Sequence, residues 1–118
     1  NPETHLYGIY FEKKIVGYGG LVNITKDYKA AEVSFIMNNK ISHNSKFYEN
    51  VFINFLNYIK KYSFKKKKLR RLYTETYSFR KKHIKILQKC GFELEGIMKK
   101  HVIKKDKVYD SFIHGILK

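Results

Sequence analysis

The stretch Ala30–Asn38, AAEVSFIMN, sets apolar Ala31, Val33, Phe35 and Met37 against Glu32, Ser34 and Ile36, the period of two that marks a strand. From Phe47 the period lengthens. Tyr48, Phe52, Phe55, Ile59 and Tyr62 step by three and four residues, which predicts an amphipathic helix of about four turns. Asn44 or Ser45 can cap its start by accepting from a free backbone N–H. A second strand, Arg71–Ser78 (RLYTETYS), follows, and then a shorter helical stripe of His83, Leu87 and Cys90 that ends in KCGF. Strand, helix and strand in this order predict a parallel pair joined by a crossover, with a helix N-terminus beside the strand ends. Such a place suits a phosphate-bearing ligand.

Working outward, HLYGIYFE (5–12) and IVGYGGLVNI (15–24) read as an antiparallel hairpin turning at Lys13-Lys14. Gly17, Gly19 and Gly20 lie inside the second of these strands, where they allow a kink or a close approach. They do not form a dinucleotide fingerprint, which needs a strand-to-helix turn. Gly91 is placed to end the second helix in a left-handed conformation, with Phe92 folding back on Leu87. FELEGIMKKHVI (92–103) and VYDSFIHGIL (108–117) read as a last hairpin around Lys104–Lys107. The expected order is β-β-β-α-β-α-β-β, an α/β (α+β) mixed sheet in a single domain over residues 1–118.

Composition narrows the partners. A formal charge of +15 invites a nucleic-acid reading through Lys65–Arg71. Yet only Arg70, Arg71 and Arg80 among the 25 basic residues are arginine, which fits solvated lysine faces and a surface that attracts an anionic ligand. The single Cys90 excludes an internal disulfide, so a reducing, cytoplasmic location is expected. No apolar run reaches the ~18 residues of a membrane span. His43 and His83 lack metal-ligand spacing to each other or to Cys90, so no metal site is expected and both read as packing or solvent-facing residues.

Lys89-Cys90-Gly91-Phe92-Glu93-Leu94-Glu95-Gly96, followed by Lys107-Val108-Tyr109-Asp110, resembles the C-terminal half of the GNAT superfamily of acyl-CoA-dependent N-acetyltransferases. The nearest branch acetylates ribosomal-protein N-termini, polyamines and nucleotide-linked amino sugars. The front hairpin resembles the family's second and third strands, and Ala31–Phe35 its fourth. The family's front strand and helices have no counterpart in this stretch, as in a C-terminal fragment, and the opening Asn1-Pro2 without an initiator Met points the same way.

The resemblance implies acetyl transfer from acetyl-CoA to a primary amine, of a small molecule such as a nucleotide-linked amino sugar or of a protein N-terminus, and is compatible with a homodimer. It places Phe35, Ile36 and Met37 along the pantetheine arm, and Ser42, Asn44, Ser45, Lys46 and Phe47 at the pyrophosphate, with Arg80 within reach. Glu32 is the candidate base, or simply a solvent-facing strand residue; Tyr77 is the candidate acid, or a packing residue. The family's pyrophosphate loop, Q/R-x-x-G-x-G/A, aligns with Ser42–Phe47, which carries neither glycine. The family's Asn, Ser and general-acid Tyr fall at Arg80, His83 and Leu87. These departures keep two alternatives open, a GNAT-shaped interaction module without catalysis and a basic nucleic-acid binder.

Overall fold

The computed structural model describes residues 3–118; Asn1 and Pro2, on which the reading of a fragment partly rested, lie outside the described residues. Strand β1 (Glu3–Phe11) and strand β2 (Lys14–Thr25) form the front hairpin. Its turn sits at Glu12-Lys13, one residue earlier than expected, with both residues at positive φ (49° and 65°). That two-residue turn has the twist that matches a right-handed hairpin. Strand β3 (Ala30–Met37) pairs antiparallel with β2.

Helix α1 (Lys46–Lys61) starts where the periodicity places it. Ser45 is the cap, its Oγ accepting from the Tyr48 N–H at 3.1 Å. Beyond Lys61 the chain continues as a π-helical turn, Tyr62–Lys66, before strand β4 (Arg71–Tyr77). Periodicity alone cannot separate that turn from a lysine-rich lead-in. Helix α2 (Lys81–Lys89) ends as expected: Gly91 takes φ 96°, and the Phe92 N–H returns to the Leu87 carbonyl at 3.0 Å. Strands β5 (Glu93–Lys104) and β6 (Lys107–Leu117) complete the chain, with Asp110 Oδ1 accepting from the Lys100 N–H at a bulge in β5.

The six strands form one mixed sheet in the order β1-β2-β3-β4-β6-β5. Both helices lie on one face, joined by Lys60 Nζ donating to the Cys90 carbonyl at 2.7 Å. That face buries Ala31, Val33, Phe35 and Met37 of β3 and Leu72, Thr74 and Thr76 of β4 against Tyr48, Phe52, Leu56 and Ile59 of α1. Phe35 sits at the centre, its ring 4.5 Å from Phe52 and 5.0 Å from Phe55. Gly19 lets α1 approach, since a Cβ there would run into the Phe55 ring. Alternation sends Glu32, Ser34 and Ile36 of β3 and Glu75 and Tyr77 of β4 to the opposite face.

Candidate active site

The parallel pairing at the centre of the sheet is short. Only Ala30–Glu32 of β3 pair with Arg71–Tyr73 of β4. Past Tyr73 the strands diverge, with Thr74 Oγ1 donating to the Val33 carbonyl at 3.2 Å as the last tie. Asn38 N–H bonds to Val16 on the β2 side at 2.7 Å. A strand's amide and carbonyl groups alternate between its two edges, so Phe35 and Met37 turn theirs toward the gap, where β4 no longer receives them.

The gap is a cleft through the sheet. Its inner part, about 400 Å³, is lined on the helix side by Val33, Phe35, Phe52, His83 and Leu87, and on the other by Glu32, Ser34, Ile36, Glu75 and Tyr77. An adjoining part of about 530 Å³ shares Phe35, Ile36, Tyr77 and Arg80 and adds Met37, His43, Phe79 and Lys104. Of the residues expected at a site, the fold therefore brings together Glu32, Phe35, Ile36, Met37, Tyr77 and Arg80. Phe35 and Met37 contribute backbone, because their side chains are in the core, whereas Ile36 is exposed. Glu32 accepts from Asn23 Nδ2 at 2.8 Å. Tyr77 stands half-exposed at the rim with its ring against Phe79.

The loop before α1 contributes differently. Ser45 Oγ, besides accepting from Tyr48, donates to the Ser42 carbonyl at 2.7 Å, and Ser42 Oγ accepts from the Asn44 N–H at 3.2 Å. The Ser45 hydroxyl is thus committed within the loop. Lys46 lies near Glu49 at 3.7 Å, as do Lys82 and Lys89 at 3.6 and 3.7 Å. The Phe47 ring turns away and packs edge-on against Phe11, at 5.0 Å. The first-turn amides of Lys46 and Phe47 remain among those a helix start leaves for an outside acceptor.

One cluster was not legible from spacing. Arg80, at the start of α2, aims Nη2 at the Tyr48 hydroxyl (2.8 Å), His43 Nδ1 (3.2 Å) and His83 Nδ1 (3.3 Å). The Tyr48 hydroxyl lies 2.9 Å from His83 Nδ1. Burial, followed by the charge of Arg80, holds His83 down to about pKa 3, so its ring is neutral at physiological pH. Burial and Arg80 also lower His43, and burial raises Tyr48. Of the two expected alternatives for His83 the structure shows packing, the ring buried and stacked on Phe52, and it also lines the cleft. Its signal in the sequence was the i, i+4 spacing to Leu87, which puts both on one face of α2. Glu75 was missed because nothing in RLYTETYS marks one polar strand residue over another; it accepts from Ser111 Oγ at 2.6 Å. Among the described residues no group of three or more His, Cys, Asp or Glu is placed to hold a metal. Nor is any helix long and apolar enough to cross a membrane.

The comparisons with known proteins agree with this geometry. No curated protein sequence matches the chain. Among solved structures, a chimera of the Vibrio cholerae spermidine N-acetyltransferase superposes at TM-score 0.77 and 20% identity, over 95% of this chain and 65% of that one. A structure described as a probable acetyltransferase superposes at TM-score 0.81 and 17% identity, over 94% and 60%. The Vibrio cholerae spermidine N-acetyltransferase in a dodecameric form gives 0.74 and 22%, over 90% and 59%. At such identities the likeness is one of fold, and the chain spans about 60–65% of the length of these neighbours. The family model for the acetyltransferase (GNAT) domain, however, matches residues 1–113. With a sheet that opens between its central parallel strands beneath the N-terminus of a crossover helix, the chain belongs to the GNAT acetyltransferase family.

Proposed function

We propose that this domain transfers an acetyl group from acetyl-CoA to a cationic primary amine. The observation that carries the reading is the three-residue limit of the β3–β4 ladder, which leaves backbone donors and acceptors at Phe35 and Met37 facing the cleft. A pantetheine arm is an extended chain with two amides, and it can add to that edge as a short strand would. Its diphosphate would then meet the first turn of α1, with the guanidinium of Arg80 and the ammonium of Lys104 at the same mouth.

The amine would arrive from the other face. Glu32 and Glu75 line that side, an acidic opening in a chain of net charge +15. Carboxylates at this point favour a cationic amine over the nucleotide-linked amino sugar that the overall charge suggested. Glu32 would accept, directly or through a water, the proton that the ammonium must lose before its nitrogen attacks. Tyr77 stands at the rim with an O–H to offer. Leu87, where the family carries its acid tyrosine, has no proton to give. Holding the thioester and the amine together supplies on the order of 7–11 kcal/mol, so the domain does not need a strong acid at Leu87.

Calorimetric titration with acetyl-CoA tests the reading, and micromolar binding is the expected result. Turnover with an aliphatic polyamine exceeding that with a nucleotide-linked amino sugar would support the cationic substrate, and the reverse order would overturn it. The glycine-free loop and Leu87 favour one second reading, a GNAT-shaped interaction module; no binding at millimolar acetyl-CoA would favour that module.

A further inference from the structure

The helix-side wall of the inner cleft is apolar apart from one ring. Val33, Phe35, Phe52 and Leu87 carry no polar side-chain atom, and Thr74 donates to the Val33 carbonyl. Arg80 is engaged with Tyr48 and His43. His83 is the remaining polar side chain there among the described residues, and its orientation is fixed at three points. Its ring stacks on Phe52 with centroids 4.2 Å apart and an interplanar angle of 21°. Its Nδ1 faces the Tyr48 hydroxyl at 2.9 Å and Arg80 Nη2 at 3.3 Å.

A guanidinium has only donors, and the Tyr48 hydroxyl, which accepts from it, keeps its own O–H to give, so we assign Nδ1 of His83 as the acceptor beside them. In the neutral ring the proton therefore sits on Nε2, across the ring from Tyr48 and Arg80. Nε2 has no protein partner among the described residues. It is not sealed in as both nitrogens of His114 are, and the ring that carries it lines the cleft.

We propose that the Nε2–H of His83 donates a hydrogen bond to the reacting thioester, to the negative charge that builds on sulfur as the carbon–sulfur bond breaks. This rests on the acetyl-transfer reading above. In that step the neutral amine nitrogen forms a bond to the thioester carbonyl carbon and the carbon–sulfur bond breaks. The ammonium's first proton has gone by way of Glu32 to solvent; the second, lost from nitrogen as the amide forms, passes through water and ends on the thiolate, so amide and free thiol are the products. His83 keeps its own proton throughout. It works as a neutral donor aimed at developing charge, in an apolar wall where such a donor acts strongly.

Two measurements test this on the whole chain. Long-range 1H–15N correlation on the wild-type protein should show His83 as the Nε2–H tautomer between pH 5 and 8; an Nδ1–H tautomer or an imidazolium there would overturn the assignment. In kinetics, His83→Ala should lower kcat about 10²-fold while changing the calorimetric Kd for acetyl-CoA by less than about threefold. His83→Gln restores an amide N–H with little loss of volume and should recover about tenfold of that kcat. A His83→Ala enzyme with kcat near wild type, or a loss carried wholly by the Kd, would overturn the proposal. If the wild type does not bind acetyl-CoA at all, it is the acetyl-transfer reading that fails.

Discussion

Strand β4 has two edges, and they behave differently. Along one, all seven residues Arg71–Tyr77 pair with β6. Along the other, three residues pair with β3 and the rest face a gap. The closed edge satisfies its backbone internally and serves stability. The open edge leaves hydrogen-bonding groups unmatched within the chain, which costs free energy unless water or a ligand meets them, and the candidate site is there.

If the two edges divide stability from function, substitutions at each should separate the two readouts. The largest effect is expected at Leu72, fully buried where both ladders still hold β4. Leu72→Ala should lower unfolding free energy by about 2–5 kcal/mol in denaturant titration. Ile36→Ala, on β3 across the gap from that open edge and 67% exposed, should change it by less than about 0.5 kcal/mol. Equal losses at both positions would break the comparison.

A second effect comes from the ring that walls the open edge. His83 has a folded pKa of about 3 against an ordinary value of 6.5, so the unfolded chain binds a proton that the folded one excludes. Its stabilising contribution is full above about pH 6.5 and is lost progressively as pH falls toward 3. The total from this ring is on the order of 5 kcal/mol at most. Measured as the slope of unfolding free energy against pH, the His83→Gln chain should be flatter over that window. It should not become flat, because burial also lowers His43 and His114.

The smallest effect belongs to the closed side. Arg71 reaches over to Glu95 in a two-pronged pair at 2.7 and 2.6 Å, and the carboxylate is thereby held below its ordinary range. Both side chains are about one-third exposed, so a double-mutant cycle should give roughly 1 kcal/mol or less, weakening from low salt to 1 M salt. A coupling that ignored salt would indicate a pair much less hydrated than its exposure implies.

Local rules carried much of the fold. The alternation of Ala31, Val33, Phe35 and Met37, the three-and-four spacing of Tyr48 to Ile59, and Gly91 before Phe92 are short-range signals, and each element stands within a few residues of its expected place. The π-helical turn at Tyr62–Lys66 was invisible, since its lysines suit any solvated segment. The insertion of β6 between β4 and β5 was equally hidden, because a hairpin does not say which of its strands meets the sheet.

At the site, residues near each other in sequence could be nominated from the family pattern, as Phe35, Ile36 and Met37 were. The Tyr48–His83 contact spans 35 residues, and Arg80 to His43 spans 37, so no local spacing reports them. What the chain's own order of residues determined is where strands and helices form and which face of each is apolar, because those depend on side chains two to four positions apart. Only the tertiary structure decided that β3 and β4 part after three residues and that an arginine, a tyrosine and two histidines meet beside the gap. Strand divergence and long-range contacts follow from how α1 and α2 pack against the sheet, which is a property of the assembled core.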